Sequence, residues 1–188
     1  EVTGPGAEAL LDRLVANRLP QKPGGIVLTH MLNRRGRIEL ETTVVKLGEG
    51  RYYLVCAAFF EQRLLDHLSI YRQEEDVQVL LRSDDWAALA VNGPAAREVL
   101  GACTEADLSN AGFRWLSARQ ISVAGHQVWA FRMSYAGELG WELYVDADMA
   151  AHVFESIDEA GQDMGLKMCG LHVLDSCRIE KAFRHFGH

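Results

Sequence analysis

Residues Arg132–Val145, reading R-M-S-Y-A-G-E-L-G-W-E-L-Y-V, decide how this chain is to be folded. The stretch predicts two strands joined by a tight turn. Gly137 and Gly140 punctuate the turn, and aromatic and β-branched residues flank it. Side chains alternate along a strand, so Trp141, Leu143 and Val145 share one face while Glu142 and Tyr144 share the other. The pattern sets Glu142 inside a largely apolar hairpin, the alternative being a surface or edge-strand Glu with ordinary solvation. A carboxylate in that position needs hydrogen-bond donors, from the protein or from a ligand.

Composition narrows the possibilities around this stretch. A chain of 188 residues can bury a sizeable core in one or two domains. No apolar run approaches the roughly 18 residues of a membrane span, and no signal-peptide pattern opens the chain. The formal charge is −7, with Lys and Arg scattered, which excludes the clustered basic footprint of a nucleic-acid binder. Cys56, Cys103, Cys169 and Cys177 form no C-x-x-C pair, so free thiols and no structural metal are expected. His185 and His188 lie three apart near the terminus and are read as solvent-exposed. The chain opens without Met in what reads as a strand and stops just past a helix at Gly187. It is expected to be part of a longer protein.

The fold class follows from an internal repeat. Thr3-Gly4-Pro5-Gly6-Ala7 leads into a helix with Leu10, Leu11 and Leu14 on one face, and Asn92-Gly93-Pro94-Ala95-Ala96 leads into another with Val99, Leu100 and Cys103. A strand-rich stretch and a second helix follow each. The pattern predicts an α+β protein of two similar strand–helix–hairpin–helix half-units, residues 1–82 and 83–188. No G-x-G-x-x-G or Walker pattern is present, so no dinucleotide site is expected. Ile26–Leu47 reads as a hairpin turning at Asn33–Gly36. In its outgoing strand Glu39, Glu41, Thr43, Val45 and Leu47 share a face that becomes apolar, so Glu41 is read either as a carboxylate able to exchange a proton or as a strand-end Glu in water. Val77–Leu81 and Trp86–Val91 read as a strand pair, and Glu74-Glu75-Asp76 as a solvated acidic turn. Helices are expected at Phe60–Tyr71, at Met149–Ile157 with Gly161 closing it, and at His172–Phe186. The last has two apolar lines and should be buried on more than one side.

Four stretches, in order along almost the whole chain, resemble the folate-binding family that contains the glycine cleavage T-protein (aminomethyltransferase). They are Met31-Leu32-Asn33 with Gly36 and Ile38, the strand Gly50–Ala58 with Tyr53, Tyr135-Ala136-Gly137-Glu138 with Gly140 and Glu142, and Arg178–Arg184. The wording G-E-L-G-W-E-L-Y, the Glu at 41 where the T-protein has Asp, Gly36-Arg37 in place of Gly-Gly, and R-I-E-K-A-F-R are closer to the folate domain of dimethylglycine and sarcosine dehydrogenases.

The resemblance implies a ring of small α+β domains with folate in the central opening, a C-terminal β domain outside this chain, and tetrahydrofolate as cofactor. FAD is implied only if an upstream flavin domain exists. It implies Glu41 as the catalytic residue and Glu142, Tyr53, Tyr135 and Met31 as folate contacts. A strand aromatic in the core is the alternative for Tyr53. A family Arg that binds folate is Leu174 here, and a family Asn is Ala57, so those contacts do not carry over. The implied activity is transfer of a one-carbon unit from an iminium derived from an N-methyl amine. The alternatives are a stand-alone aminomethyltransferase and a non-catalytic folate-binding domain. The bacterial cytoplasm or the mitochondrial matrix is the implied location, with no nucleic-acid or membrane partner.

Overall fold

The backbone at the two Gly-Pro pairs is the same. In the computed structural model of the protein, which describes residues 1–187, φ is +123° at Gly4 and +122° at Gly93, a conformation open almost only to glycine. The Gly4 N–H donates to the Gly50 carbonyl, and the Gly93 N–H to the Leu139 carbonyl. In both cases the acceptor immediately precedes a strand that pairs with the one leading into the glycine. The repeat seen in the sequence is therefore a repeat in hydrogen bonding. His188, the second histidine of the terminal pair, lies outside the described residues.

The chain divides into two compact α+β units, Glu1–Leu81 and the residues from Arg82 onward. The first holds β1 (Val2–Thr3), α1 (Ala7–Leu14), β2 (Ile26–Leu32), β3 (Ile38–Gly48), β4 (Arg51–Val55), α2 (Glu61–Tyr71) and β5 (Gln78–Val79). Its antiparallel sheet runs β2-β3-β4-β1-β5. One face packs against α1 and α2: Leu10, Leu11, Met31, Leu40 and Val44 are completely buried there, with Leu64 and Leu68. A large apolar side chain enclosed in this way contributes roughly 1.5–3 kcal/mol. Lys46 is 3 % exposed, yet its Nζ lies 3.2 Å from Glu8 Oε2, the same oxygen that accepts from the Tyr52 hydroxyl at 2.9 Å. This shared oxygen lowers the Glu8 carboxyl below its ordinary range. Burial and the adjacent Glu8 push the Tyr52 phenol up to about 12.

The second unit holds β6 (Trp86–Asn92), α3 (Ala96–Gly101), β7 (Ala118–Val123), β8 (His126–Phe131), β9 (Gly140–Asp146), α4 (Ala150–Gly161) and α5 (Leu171–Glu180). Its sheet runs β6-β9-β8-β7. This reproduces β1-β4-β3-β2 of the first unit strand for strand. Trp141, Leu143 and Val145 are fully buried against Val99, Leu100 and Val153 of α3 and α4. The irregular segment before β7 is stapled by two arginines. Arg97 and Arg132 both donate to Asn110 Oδ1, at 2.8 and 2.6 Å, and both lie over the Trp141 indole. Arg97 also donates to the Leu108 carbonyl and Arg132 to that of Phe113.

Several expectations are corrected. Residues 77–81 and 86–91 are not partners: β5 pairs with β1, whereas β6 pairs with β9. Each edge is claimed by the unit whose core its side chains enter. Residues 132–139 are a loop rather than the first strand of a hairpin, because β8 ends at Phe131. α4 does close at Gly161, and a short 3-10 turn then leads to a left-handed Gly165. Glu75 is more than a solvated acidic residue, since it pairs with Arg13 and accepts the Gln73 N–H at 2.7 Å. The last helix ends at Glu180 and has no buried residue; Leu171 and Ile179 are largely exposed. Among the described residues no helix is long and apolar enough to cross a membrane.

Gly93 has open space where a Cβ would go, whereas a Cβ on Gly4 would lie 2.4 Å from the Asp76 carbonyl oxygen. Gly93→Ala should therefore cost only the backbone strain, about 1–3 kcal/mol, and Gly4→Ala distinctly more. Urea unfolding of the two variants side by side checks the order.

Candidate functional site

The hairpin of β2 and β3 is pinned by one side chain. Asn33 Oδ1 accepts the N–H groups of Arg35 and Arg37, its Nδ2 donates to Glu39 Oε1 at 2.8 Å, and its own N–H donates to the Arg37 carbonyl. Gly36 supplies the positive φ that the turn needs. With the turn fixed, residues pair in order from Ile26↔Val45 to Met31↔Leu40. The pleat then sends Met31, Leu40 and Val44 into the core and His30, Glu41, Thr43 and Val45 to the opposite face.

Glu41 is directly opposite His30, and His30 Nε2 lies 3.2 Å from Glu41 Oε2. The two side chains are 23 % and 36 % exposed respectively. Tyr53 pairs with Val45, which puts it on the same face as Glu41; it is half-buried, while its neighbour Tyr52 occupies the core. Met31 is fully enclosed among the core side chains of its unit.

In the second unit Glu142 sits on β9 between Ala90 of β6 and Phe131 of β8. Tyr144 is on the same face. Its hydroxyl donates to Glu142 Oε2 at 2.9 Å, and its ring packs 4.5 Å from that of Phe131. Burial raises the Glu142 carboxyl above the ordinary value of 4.5, and the Tyr144 hydrogen bond offsets only part of this. An acidic group surrounded by alanine and aromatic rings, with one hydroxyl donor, keeps acceptor capacity for further N–H or O–H groups.

Tyr135 lies in the loop after β8. Its ring meets the Arg178 guanidinium at 5.7 Å and the His185 ring at 5.5 Å. Glu138 in the same loop pairs with Lys181 at 2.9 Å. A Cβ on Gly137 would meet Lys181 Cγ at 2.5 Å, and φ there is +73°, which accounts for glycine at this point. The loop is thus seated on the residues at and beyond the end of α5. Leu174 lines an apolar cleft of about 430 Å³ within this unit, with Ala90, Phe154 and Cys177. All four cysteines are free. Among the described residues no group of three or more His, Cys, Asp or Glu is arranged to hold a metal ion.

Sequence reasoning missed His30 and Arg178 as partners of Glu41 and Tyr135. For His30 the signal was available: a hairpin turning at Asn33–Gly36 places residues 30 and 41 close to opposite each other.

Two α+β units built on one plan, each carrying a carboxylate on the sheet face away from its helices, define a duplicated α+β binding module. The chain belongs to the GCVT N-terminal domain family, which matches it over residues 1–188. It is 37 % identical over 188 residues to the 4-methylaminobutanoate oxidase (formaldehyde-forming) of Paenarthrobacter nicotinovorans, and 37 % identical to the mitochondrial dimethylglycine dehydrogenase of Mus musculus. The matches cover 100 % and 99 % of this chain but 23 % and 22 % of those proteins, so the chain spans under a quarter of their length. In fold it is similar to the crystal structure of glycine cleavage system aminomethyltransferase T from Bartonella henselae, with a TM-score of 0.81 and 25 % identity over 96 % of this chain and 47 % of that one.

The raised Glu142 carboxyl carries a stability consequence. Above its folded pKa the native state holds a poorly solvated charge that the unfolded chain solvates freely. As the pH falls toward 4.5 the native carboxyl takes up its proton first, and the penalty disappears. Glu142→Gln should be more stable than the parent above neutral pH, with the gap closing at lower pH. Urea unfolding across that range measures it.

Proposed function

We propose that this chain is a tetrahydrofolate-dependent one-carbon transfer module of an N-methyl amine oxidase or dehydrogenase. The observation that carries the reading is Glu142, a desolvated carboxylate with one hydroxyl donor in an otherwise apolar strand. Such a group fits the donor edge of a reduced pterin, whose ring N–H and amino group match two carboxylate oxygens. The names of the two oxidative relatives, both acting on N-methyl amines, support the substrate class. Glu in place of Asp at position 41 supports the same branch.

Bound reduced folate supplies the nucleophilic nitrogen that takes up the carbon. Glu142 holds the pterin in register. Within the second unit Tyr135, braced by Arg178, offers a ring surface to a ligand; within the first, Tyr53 shares a sheet face with Glu41. Glu41 is the proton-handling group: as a carboxylate it accepts the proton released on carbon capture, or stabilises the iminium cation by its charge. The flavin that oxidises the amine belongs to a part of the longer protein outside this chain. The likeness in fold to an aminomethyltransferase sustains a second reading, aminomethyl transfer from a carrier protein, which ammonia release on adding a lipoyl carrier would reveal.

Calorimetry of the full-length protein with 5-formyltetrahydrofolate should show saturable binding. Glu142→Ala should weaken it by at least about tenfold, or about 1.4 kcal/mol, with an unchanged circular dichroism spectrum. Glu41→Gln should keep the affinity but slow formation of 5,10-methylenetetrahydrofolate by about 10²-fold. Absence of binding in a folded full-length protein sinks the reading. Binding without carbon transfer leaves a folate-binding domain with no chemistry.

A further inference from the structure

Most acidic side chains of the first unit that have a polar partner are tied into its framework. Glu8 is held by Lys46 and Tyr52, Glu39 by Asn33, and Glu75 by Arg13. Glu41 differs. Its partner is the imidazole of His30, and both groups retain access to solvent. Among the described residues neither side chain has another hydrogen-bonding partner. The contact is also built in rather than incidental: the two residues are direct cross-strand neighbours in a ladder whose register the Asn33 turn fixes.

A proton must lie between the two groups. At 3.2 Å, a bare imidazole nitrogen and a bare carboxylate oxygen would present lone pairs to each other, which is repulsive. The pair is therefore joined by Nε2–H donating to the carboxylate, or by a carboxyl O–H donating to Nε2. In either form Oε2 is committed to His30 and the rotation of the carboxyl group is restricted. Oε1 is the oxygen left for a ligand. Holding a catalytic oxygen in one orientation before the substrate arrives lowers the barrier without adding a new contact to substrate.

We propose that His30 is a positioning residue for Glu41, fixing one carboxylate oxygen so that the other meets the reacting nitrogen. This rests on the assignment of Glu41 made above. His30 itself touches neither folate nor the carbon being transferred.

The test uses the full-length protein with dimethylglycine and 4-methylaminobutanoate as amine probes. Two quantities are measured: calorimetric affinity for 5-formyltetrahydrofolate, and the single-turnover rate of 5,10-methylenetetrahydrofolate formation. His30→Ala should slow capture about tenfold while folate affinity stays within about twofold. His30→Gln, whose amide N–H can reach the same oxygen, should recover most of the rate. The double variant His30→Ala/Glu41→Gln should be no slower than Glu41→Gln alone, because a positioning residue has nothing to add once the group it positions is gone.

A wild-type rate in His30→Ala beside a slow Glu41→Gln overturns the inference and leaves the functional reading standing. So does a double variant whose loss is the product of the two single losses, or a fall in folate affinity that matches the fall in rate. A wild-type rate in Glu41→Gln overturns the assignment of Glu41 and the pairing with it. No folate binding by the parent protein overturns both at the level of the function.

Discussion

The pairing of β2 with β3 is the constraint on which the first unit depends. Strand side chains alternate with a period of two, so a slip of one residue would carry Met31, Leu40 and Val44 to the outside and bring His30 and Glu41 into the core. That exchange would forfeit several kcal/mol of apolar burial and strand a carboxylate among leucines. Asn33 prevents it by closing the turn through three backbone groups and one side chain. The core and the candidate chemistry are thus set by a single register, and neither can be altered without the other.

The two units treat buried charge in opposite ways. Lys46 donates to a Glu8 oxygen that also accepts from the Tyr52 hydroxyl, so a buried ammonium is tolerated beneath the sheet. Glu142 has a single hydroxyl for company and its carboxyl is pushed toward the neutral form. Residues held at a cost to the fold concentrate where a ligand will later satisfy them. On that physical ground Glu142, rather than the better-paired Glu8, is the residue with an unfinished hydrogen-bonding role.

Much of this was legible in the sequence because the relevant signals are local. The Gly-Pro pairs, the Asn33–Gly36 turn and the alternation of Trp141, Leu143 and Val145 against Glu142 and Tyr144 need only neighbouring residues to be read, and the α+β class follows from them. What was not legible depends on contacts between segments far apart. The sequence does not say that β5 joins β1 while β6 joins β9, because both short runs are compatible with pairing to each other. Extending a strand through Arg132–Ala136 failed for a similar reason: aromatic content favours a strand there, but Glu138 and Tyr135 are engaged by Lys181 and Arg178, some forty residues on. Met31 lies in a stretch similar to the family's, and the pleat sends its side chain into the core. A match of wording carries position, not the direction in which a side chain points.

Gly4 and Gly93 hold nearly identical φ values at equivalent junctions between strand and helix. Around these junctions the two units carry different side chains, each set packed into its own core. At these junctions the choice is closed, since a residue with a Cβ would be strained in either half. The likeness of the two units is therefore carried by backbone angles and strand order rather than by side chains. A search for further members of such duplicated folds could begin from the spacing of obligatory glycines.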